Sequence, residues 1–593
     1  MARTNDEVAR LLAELATLTE LDEGSPNTFR VRAYQNAERA VRGLGQDVST
    51  LSVTELAGVK GIGKSIAARI REYVDAGRIV RLDELREAHP PEQVALLQIP
   101  GLGPKTVQLL DEALGIRSVE ALVAALDEGS LAEVAGMGAK TIENLRDGID
   151  KLGLTSKDRR VPIGTALPLA ERLVAQLGMV DGVVDVAYAG SLRRFREDIG
   201  DIDVLVATDD PAPVHAAFLA LEEIDRTLGS GDTKTSVVTR DGVQVDLRVV
   251  PPASFGAALL YFTGSKAHNI RLRQRAIDRG WLLNEYALAV HDASGVPGAR
   301  GTIDEHVEVV AAATEAEIYA ALELEVIPPE LREDDGEIEL AADHALPALV
   351  EVEHLRGDLH DHTDLSGDGR DPLEELVAGA VARGLDYLAI TDHAEDLRMN
   401  GVSREAMLEQ RQALRSLEQR RGDIRLLHGA ELNIGVDGSL DYDDDFLAGF
   451  DWLVASVHSH FTRSAREQTD RVIAAIRHPS VTAIGHLTGR RIGSRPGIDL
   501  ELDRVLDAAA EVGTAIEINA ALGRLDASVE VIREGARRGC TFVISTDAHA
   551  VAELDRARFG AAQARRARLA RDAVANTWEP ARFLAWLRDL RGA

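Results

Sequence analysis

Residues 357–362 read GDLHDH, an apolar strand pattern that ends in two histidines. The same ending recurs along the C-terminal part of the chain. It appears in YLAITDH (387–393), LLHGAE (426–431), LVASVH (453–458), TAIGH (482–486) and FVISTDAH (542–549). These runs deliver His360, His362, His393, Glu431, His458, His486, Asp547 and His549, and Asp368 lies in the loop after the first. Amphipathic stretches such as PLEELVAGAVARG (372–384) and LDRVLDAAAEVG (502–513) separate them. Strands alternating with such helices imply βα units and a parallel sheet or barrel. Strand ends that carry metal-type side chains around a barrel build one polynuclear site at one mouth. The pattern therefore predicts a metal-dependent hydrolase from about residue 355 onward.

At 593 residues the chain is too long for one core. Its hydrophobic content of 45% and charged content of 28% are ordinary for a globular protein. No apolar run reaches the length of a membrane span, and the start, MARTNDEVARLLAEL, lacks a signal-peptide core. The single cysteine, Cys540, excludes an intrachain disulfide and reads as a small buried residue. A cytoplasmic location, no membrane partner and a monomer are the expectations. The net charge of −31 argues against nucleic acid at first sight. Contact charge is local, however. Residues 29–81 gather Arg30, Arg32, Arg39, Arg42, Lys60, Lys64, Arg69, Arg71, Arg78 and Arg81.

The first 150 residues are helical in pattern and repeat themselves. LAGVKGIGKSIAARI (56–70), LLQIPGLGPKTVQLL (96–110) and LAEVAGMGAKTIENL (131–145) align in register. Their glycine pairs are Gly61/Gly63, Gly101/Gly103 and Gly136/Gly138, followed by Lys64, Lys105 and Lys140. Two glycines let the backbone turn tightly and approach a partner. The helix that follows offers free N–H groups to a phosphate. The repeat resembles the helix-hairpin-helix, which binds DNA backbone without reading bases.

Residues 156–250 switch to β-branched runs. In GDIDVLV (200–206), Asp201 and Asp203 lie two apart, so both carboxylates face one side of a strand. Asp246 in VQVDLRV (243–249) can lie alongside on another strand. Three carboxylates on one face stay ionised only if cations share the site. Two divalent ions there suit an in-line displacement that releases pyrophosphate. Upstream, AGSLRR (189–194) offers Gly190 and Ser191 for close approach to phosphate and Arg194 for a bidentate contact.

AGSLRRFREDIGDIDVLV (189–206), VQVDLRVV (243–250) and YFTGSKAHNIRLR (261–273) resemble the palm and thumb of family X DNA polymerases. The resemblance implies that Asp201, Asp203 and Asp246 are catalytic and hold two Mg2+ or Mn2+ ions. It implies that Gly190, Ser191, Arg194 and Gly200 grip the nucleotide, with Tyr261, Phe262 and Gly264 beside the sugar. Asn269 then meets the incoming base and Arg273 the template side. In the first helical domain it implies that Arg30, Tyr34 and Lys64 hold a 5′-phosphate. At the position of the family's lyase lysine stands Arg69, which stays protonated and cannot form a Schiff base. Lyase chemistry is therefore expected to be weak or absent.

GDLHDHT, AITDHA, GAELNI, SVHSHF, IGHLTGRRIGSRPG, EINAALGRLD and STDAHA resemble the PHP domain (polymerase and histidinol phosphatase) in its bacterial fusion to family X polymerases. The resemblance implies a distorted (βα)7 barrel with up to three ions. Nine residues match its ligands: His360, His362, Asp368, His393, Glu431, His458, His486, Asp547 and His549. Mixed N/O ligation suits Mn2+, Zn2+ or Fe2+. SGDGRDP (366–372) is one residue longer than the family's spacing, so Asp364 and Asp371 stand as alternatives to Asp368. Arg490 and Arg495 are candidates for a phosphate contact or for loop salt bridges. His428 reads as a core residue, and His460 fits either reading.

The expected organisation is a multidomain α/β chain. Residues 1–82 form a helical DNA-binding domain and 83–155 further helix-hairpin-helix repeats. Residues 156–250 form the palm, 251–325 the thumb, 326–354 a linker able to pack partly as helix, and 355–593 the metal barrel. The expected function is gap filling on gapped or primer-template DNA with deoxynucleoside triphosphates, with a 3′-5′ exonuclease or 3′-end phosphoesterase in the barrel. The alternatives are a barrel acting on a small phosphate ester or pyrophosphate, or a non-catalytic DNA-bridging barrel.

Overall fold

The computed structural model describes residues 5–591 apart from 26–27, 43, 45–47, 91–92, 95, 100–101, 129, 135–136, 139, 143–144, 146–159, 291–307 and 398–399. The chain divides into two compact units, residues 1–159 and 160–593.

The first unit is helical. Its long helices Asn5–Glu23 and Phe29–Arg42 pack together over a core that includes Leu12, Leu15, Ala37 and Ile70. In the first hairpin Gly61 adopts a φ of +104°, and a Cβ there would lie 3.2 Å from the Asn36 carbonyl. Only glycine is comfortable in that conformation. Helices Lys64–Ala76 and Pro104–Leu114 start directly after Gly63 and Gly103. Gly101 and Gly136 lie outside the described residues.

The second unit begins with a five-stranded sheet. Its spatial order is Asp185–Tyr188, Ile202–Ala207, Gln244–Val250, Lys234–Thr239 and Ile224–Ser230. The two strands that carry the acids are central and run parallel. Their near-continuous apolar runs reflect burial on both faces. Helix Ile163–Leu177 covers one face through Ile163, Leu167, Leu173 and Leu177. The sequence reading anticipated three of these strands. Ile224–Ser230, largely exposed, and Lys234–Thr239 form a hairpin that it did not. Residues 255–263 and 266–277 form two helices, followed by a small antiparallel sheet.

Residues 326–354, expected as a linker, are built into the structure. Ile327, Leu331, Ile338 and Ala341 are buried in the same cluster as Leu260 and Leu272. The acids of this segment are paired: Glu333 with Arg194, Asp334 with Arg271 and Asp335 with Arg533, while Glu337 and His268 form a fully buried pair.

Seven parallel strands follow in chain order: Gly357–Asp361, Tyr387–Ile390, Arg425–Asn433, Trp452–Ser456, Ala483–Ile484, Ala515–Asn519 and Phe542–Ser545. The first and last meet at an Asp361–Ala548 bridge and through the Thr546 hydroxyl, which donates to Asp358. The barrel is thus nearly closed, and every strand is buried apart from its ends. Its 521–525 turn and Phe559 enter the apolar core of the five-stranded sheet, where Leu525 is fully buried beside Phe559. Phe195 stacks on Phe559 at 6.1 Å, and Arg558 grips Glu171 with two hydrogen bonds of 2.7 and 3.0 Å. No described helix is long and apolar enough to cross a membrane.

Candidate active sites

Asp203 and Asp246 are direct partners across the central parallel strand pair. Asp201 lies two residues before Asp203 and directly precedes its strand. Burial pushes the Asp203 carboxyl up to about 7, and the charges of Asp201 and Asp246 add to the rise. Burial also acts on Asp246, but hydrogen bonds from Lys234 (2.6 Å), Ser236 and Gln244 (3.0 Å) hold it below the usual range. Lys234 and Arg248 against three carboxylates still leave the cluster short of positive charge, which suits divalent cations. Gly190, at φ +65°, closes the site from above. A Cβ on it would lie 2.5 Å from Asp203 Oδ2. Ala189 N–H donates to the Asp203 carbonyl at 2.8 Å and fixes the turn that carries Gly190 and Ser191.

Arg194 departs from the expected phosphate contact. Its guanidinium donates to Glu333 Oε1 (3.0 Å) and to the carbonyls of Thr263 (2.6 Å) and Gly264 (3.2 Å). Burial in this junction favours pairing with the nearest acceptors, and Glu333 is supplied by the segment expected to be a linker. The Asn269 amide likewise turns inward and donates to the Tyr261 carbonyl at 2.7 Å. A Cβ on Gly264 would meet that amide at 2.4 Å. Arg248 lies over the Phe262 ring at 4.2 Å and Arg273 over Tyr261 at 5.0 Å. Gly200 has open space where a Cβ would be.

In the helical unit Lys64, Lys105 and Lys140 are exposed beside Gly63, Gly103 and Gly138. Of the other two residues expected at the phosphate, one is buried and the other is exposed and ion-paired. Tyr34 is only 5% exposed and packs in the helical core, under the Arg69 guanidinium at 5.8 Å. Arg30 is paired with Glu23 at 2.6 Å.

In the barrel, all nine candidates converge on one mouth. His362, Asp368, His393 and His549 form one cluster that could hold an ion, His360, His362 and Asp547 a second, and His393, Glu431 and His458 a third. His486 joins them through Nε2, 2.8 Å from Glu431 Oε1. Asp368 Oδ2 lies 3.2 Å from His393 Nε2 and 3.4 Å from His549 Nε2. The alternatives lie elsewhere: the Asp371 carboxylate accepts from Val551 N–H, and Asp364 is exposed. His428 is stacked on Phe450 at 4.6 Å and bonded by Arg411, and burial pushes its imidazole down to about 3. His460 is exposed and belongs to none of the clusters.

The donor set fits metal ions. His360 Nε2, His362 Nδ1 and Nε2, His486 Nδ1 and Asp368 Oδ1 are buried without a hydrogen-bond partner, a costly arrangement unless an ion fills it. Burial alone would raise Glu431, yet the imidazoles of His458, His360 and His393 hold it well below the usual range. His486 and Asp547 adopt φ of 25° and 51°, strained for non-glycine residues and common at functional sites.

Other residues complete the mouth that the strand-end pattern did not reveal. Glu517 accepts from His360 Nδ1 at 2.7 Å, fixing its ring so that Nε2 faces the cluster. Asn433 does the same for His458 at 2.7 Å, and Asn519 donates to Asp547 at 3.0 Å. The signal for Glu517 was present: EIN (517–519) is a strand end like GAELN, without a histidine. Arg491, Arg495, Arg524 and Arg556 line a cavity of about 370 Å³ over the clusters. Arg490 is turned away toward Glu197.

Family models match in the same order as these elements. A helix-hairpin-helix domain covers residues 3–79 and a SAM-like helix-hairpin-helix tandem 94–151. A DNA polymerase beta thumb covers 258–333 and a PHP domain 358–521. The chain is 36% identical over 564 residues to the DNA polymerase/3′-5′ exonuclease PolX of Bacillus subtilis, covering 94% of this chain and 95% of that protein. The chain belongs to the family X DNA polymerases that carry a PHP domain. DNA polymerase lambda of Rattus norvegicus is 27% identical over 329 residues, about half of each chain (51% and 52%). A probable phosphatase of Acetivibrio thermocellus is 30% identical over 207 residues, 34% of this chain and 81% of that protein. The PHP match spans His360, His362, Asp368, His393, Glu431, His458 and His486, and the thumb match begins after the strand that carries Asp246.

Proposed function

We propose that this family X polymerase fills short gaps during DNA repair, and that its barrel removes nucleotides or phosphates from blocked 3′ ends. The observation that carries the barrel's role is the convergence of nine ligand-type side chains and four arginines on one cavity, in the chain that also pairs Asp203 with Asp246.

In the sheet, Asp201, Asp203 and Asp246 hold two ions, Mg2+ or Mn2+. The Gly190–Ser191 turn admits the triphosphate, and Arg194 exchanges Glu333 for it. Tyr261, Phe262 and Gly264 shape the sugar pocket, and Asn269 and Arg273 face the base and template. In the barrel the nine residues hold up to three ions of Mn2+, Zn2+ or Fe2+. When bound, such ions supply Lewis acidity toward phosphorus-bound oxygens and make a hydroxyl or water nucleophilic at neutral pH. Arg491, Arg495, Arg524 and Arg556 orient the phosphate by charge-assisted hydrogen bonds. The exposed lysines after the hairpin glycines hold the DNA backbone.

The likeness to probable phosphatases supports a second reading, in which the barrel cleaves a small phosphate ester. A 5′-labelled primer on gapped DNA with Mn2+ tests both. His360→Ala is expected to stop 3′ degradation and to leave incorporation intact, while Asp203→Ala does the reverse. Degradation that persists in His360→Ala and vanishes in Asp203→Ala would remove the nuclease from the barrel.

A further inference from the structure

Glu197 belongs to the polymerase half, four residues before Asp201, yet its carboxylate points into the barrel. Arg490 grips it with two hydrogen bonds of 3.0 and 2.8 Å, and Gln563 adds a third at 2.9 Å. Both partners of the ion pair are largely buried, at 17% and 24% side-chain exposure. The same guanidinium donates to two barrel carbonyls, Arg524 O at 2.9 Å and Leu525 O. Glu197 thus fixes Arg490, and Arg490 fixes the 521–525 turn.

That turn carries Arg524. Its guanidinium lies 3.6 Å from Asp547 Oδ2 and lines the cavity over the metal clusters. Other contacts share in holding the turn: Gln563 donates to the Leu525 carbonyl at 3.2 Å and Ala521 N–H donates to Asn519 Oδ1 at 3.1 Å. Leu525, at φ 41°, is buried against the sheet's core, and Gly523 O accepts from Ile492 N–H at 2.8 Å. A buried arginine without its carboxylate would leave an uncompensated charge, and the carbonyls it orders would lose their reference.

We propose that Glu197 is a positioning residue for the barrel's phosphoester hydrolysis, acting through Arg490 to hold Arg524 over the site. The polymerase half would then supply part of the hydrolase's supporting shell. This inference rests on the barrel being the phosphoesterase. Outer supporting partners of this kind are worth on the order of 10-fold in activity.

The test uses the full chain with Mn2+ and 5′-labelled single-stranded DNA, comparing wild type, His360→Ala, Glu197→Gln, Arg524→Ala and the Glu197→Gln/Arg524→Ala double variant. Bound Mn2+ per chain and nucleotide incorporation are measured alongside. Glu197→Gln is expected to lower kcat/KM for degradation about 10-fold, with Mn2+ content and incorporation within about twofold of wild type. The double variant is expected to be no slower than Arg524→Ala, since both act through one guanidinium. Degradation by Glu197→Gln at the wild-type rate, or losses that multiply in the double variant, would overturn the proposal. Degradation undiminished in His360→Ala would overturn the barrel reading first and this inference with it.

Discussion

The five-stranded sheet gathers its acids from two neighbouring strands, whereas the barrel gathers its candidate ligands from six of seven strand ends and braces them from the seventh. In the sheet, strand register does nearly all the work: Asp203 faces Asp246 because the parallel pairing places them side by side. Lys234 lies against Asp246, and the site is partly open. In the barrel, closure does the work. His360, His362 and Glu431 are almost fully buried, and imidazole lone pairs without partners face inward. An open cluster can exchange a nucleotide and its ions at each turnover. An enclosed one holds ions as part of its fold.

The comparison can be broken first at Gly190. If register and close approach alone build the polymerase site, Gly190→Ala, whose Cβ would sit 2.5 Å from Asp203 Oδ2, should cut incorporation on the order of 100-fold. Single-turnover incorporation measures this, and degradation by the barrel should be unchanged. Loss of both activities would mean that the two centres share more than a polypeptide. Next comes the brace. Glu517→Gln keeps the shape but weakens the hold on His360 Nδ1, and barrel activity or Mn2+ affinity should fall about 10-fold. Normal Mn2+ titration and normal rates would show that closure alone orients the histidines.

The last test concerns stability and not activity. Glu315 lies between Arg193 (2.8 Å) and Arg332 (2.5 Å). Burial works to raise its carboxyl, but the two guanidinium groups hold it down at about 2. A depressed carboxylate contributes stability above its unfolded value of 4.5, which is lost as pH falls from there toward 2. The full contribution is about 3 kcal/mol, and about 2 kcal/mol of it is lost between pH 5 and pH 3. Glu315→Gln should therefore flatten the acid limb of a urea-melt series between pH 5 and pH 3 by about that amount. A parallel wild-type and variant acid limb would show that the arginines, and not the charge of Glu315, hold this junction.

Much was legible because it is local. Alternation put Asp201 and Asp203 on one face, and repetition of strand endings exposed eight of the nine barrel residues. The structure even places Asp368, in its lengthened loop, between His393 and His549. What escaped was non-local. Glu517 carries no histidine to draw attention. Arg194 meets Glu333 only because a segment 139 residues later folds back. Tyr34 looked like a surface contact until its helix packed.

By itself the sequence determined the kinds of element, the chemistry each carries and which residues share a strand end, because periodicity and spacing are properties of neighbouring residues. Only the tertiary structure decided which arginines face the barrel cavity and that Glu197 reaches into the barrel. It also decided that the expected linker is part of the thumb's core. Those outcomes depend on which buried charge lies nearest once the chain has packed, and no spacing along the chain encodes that distance.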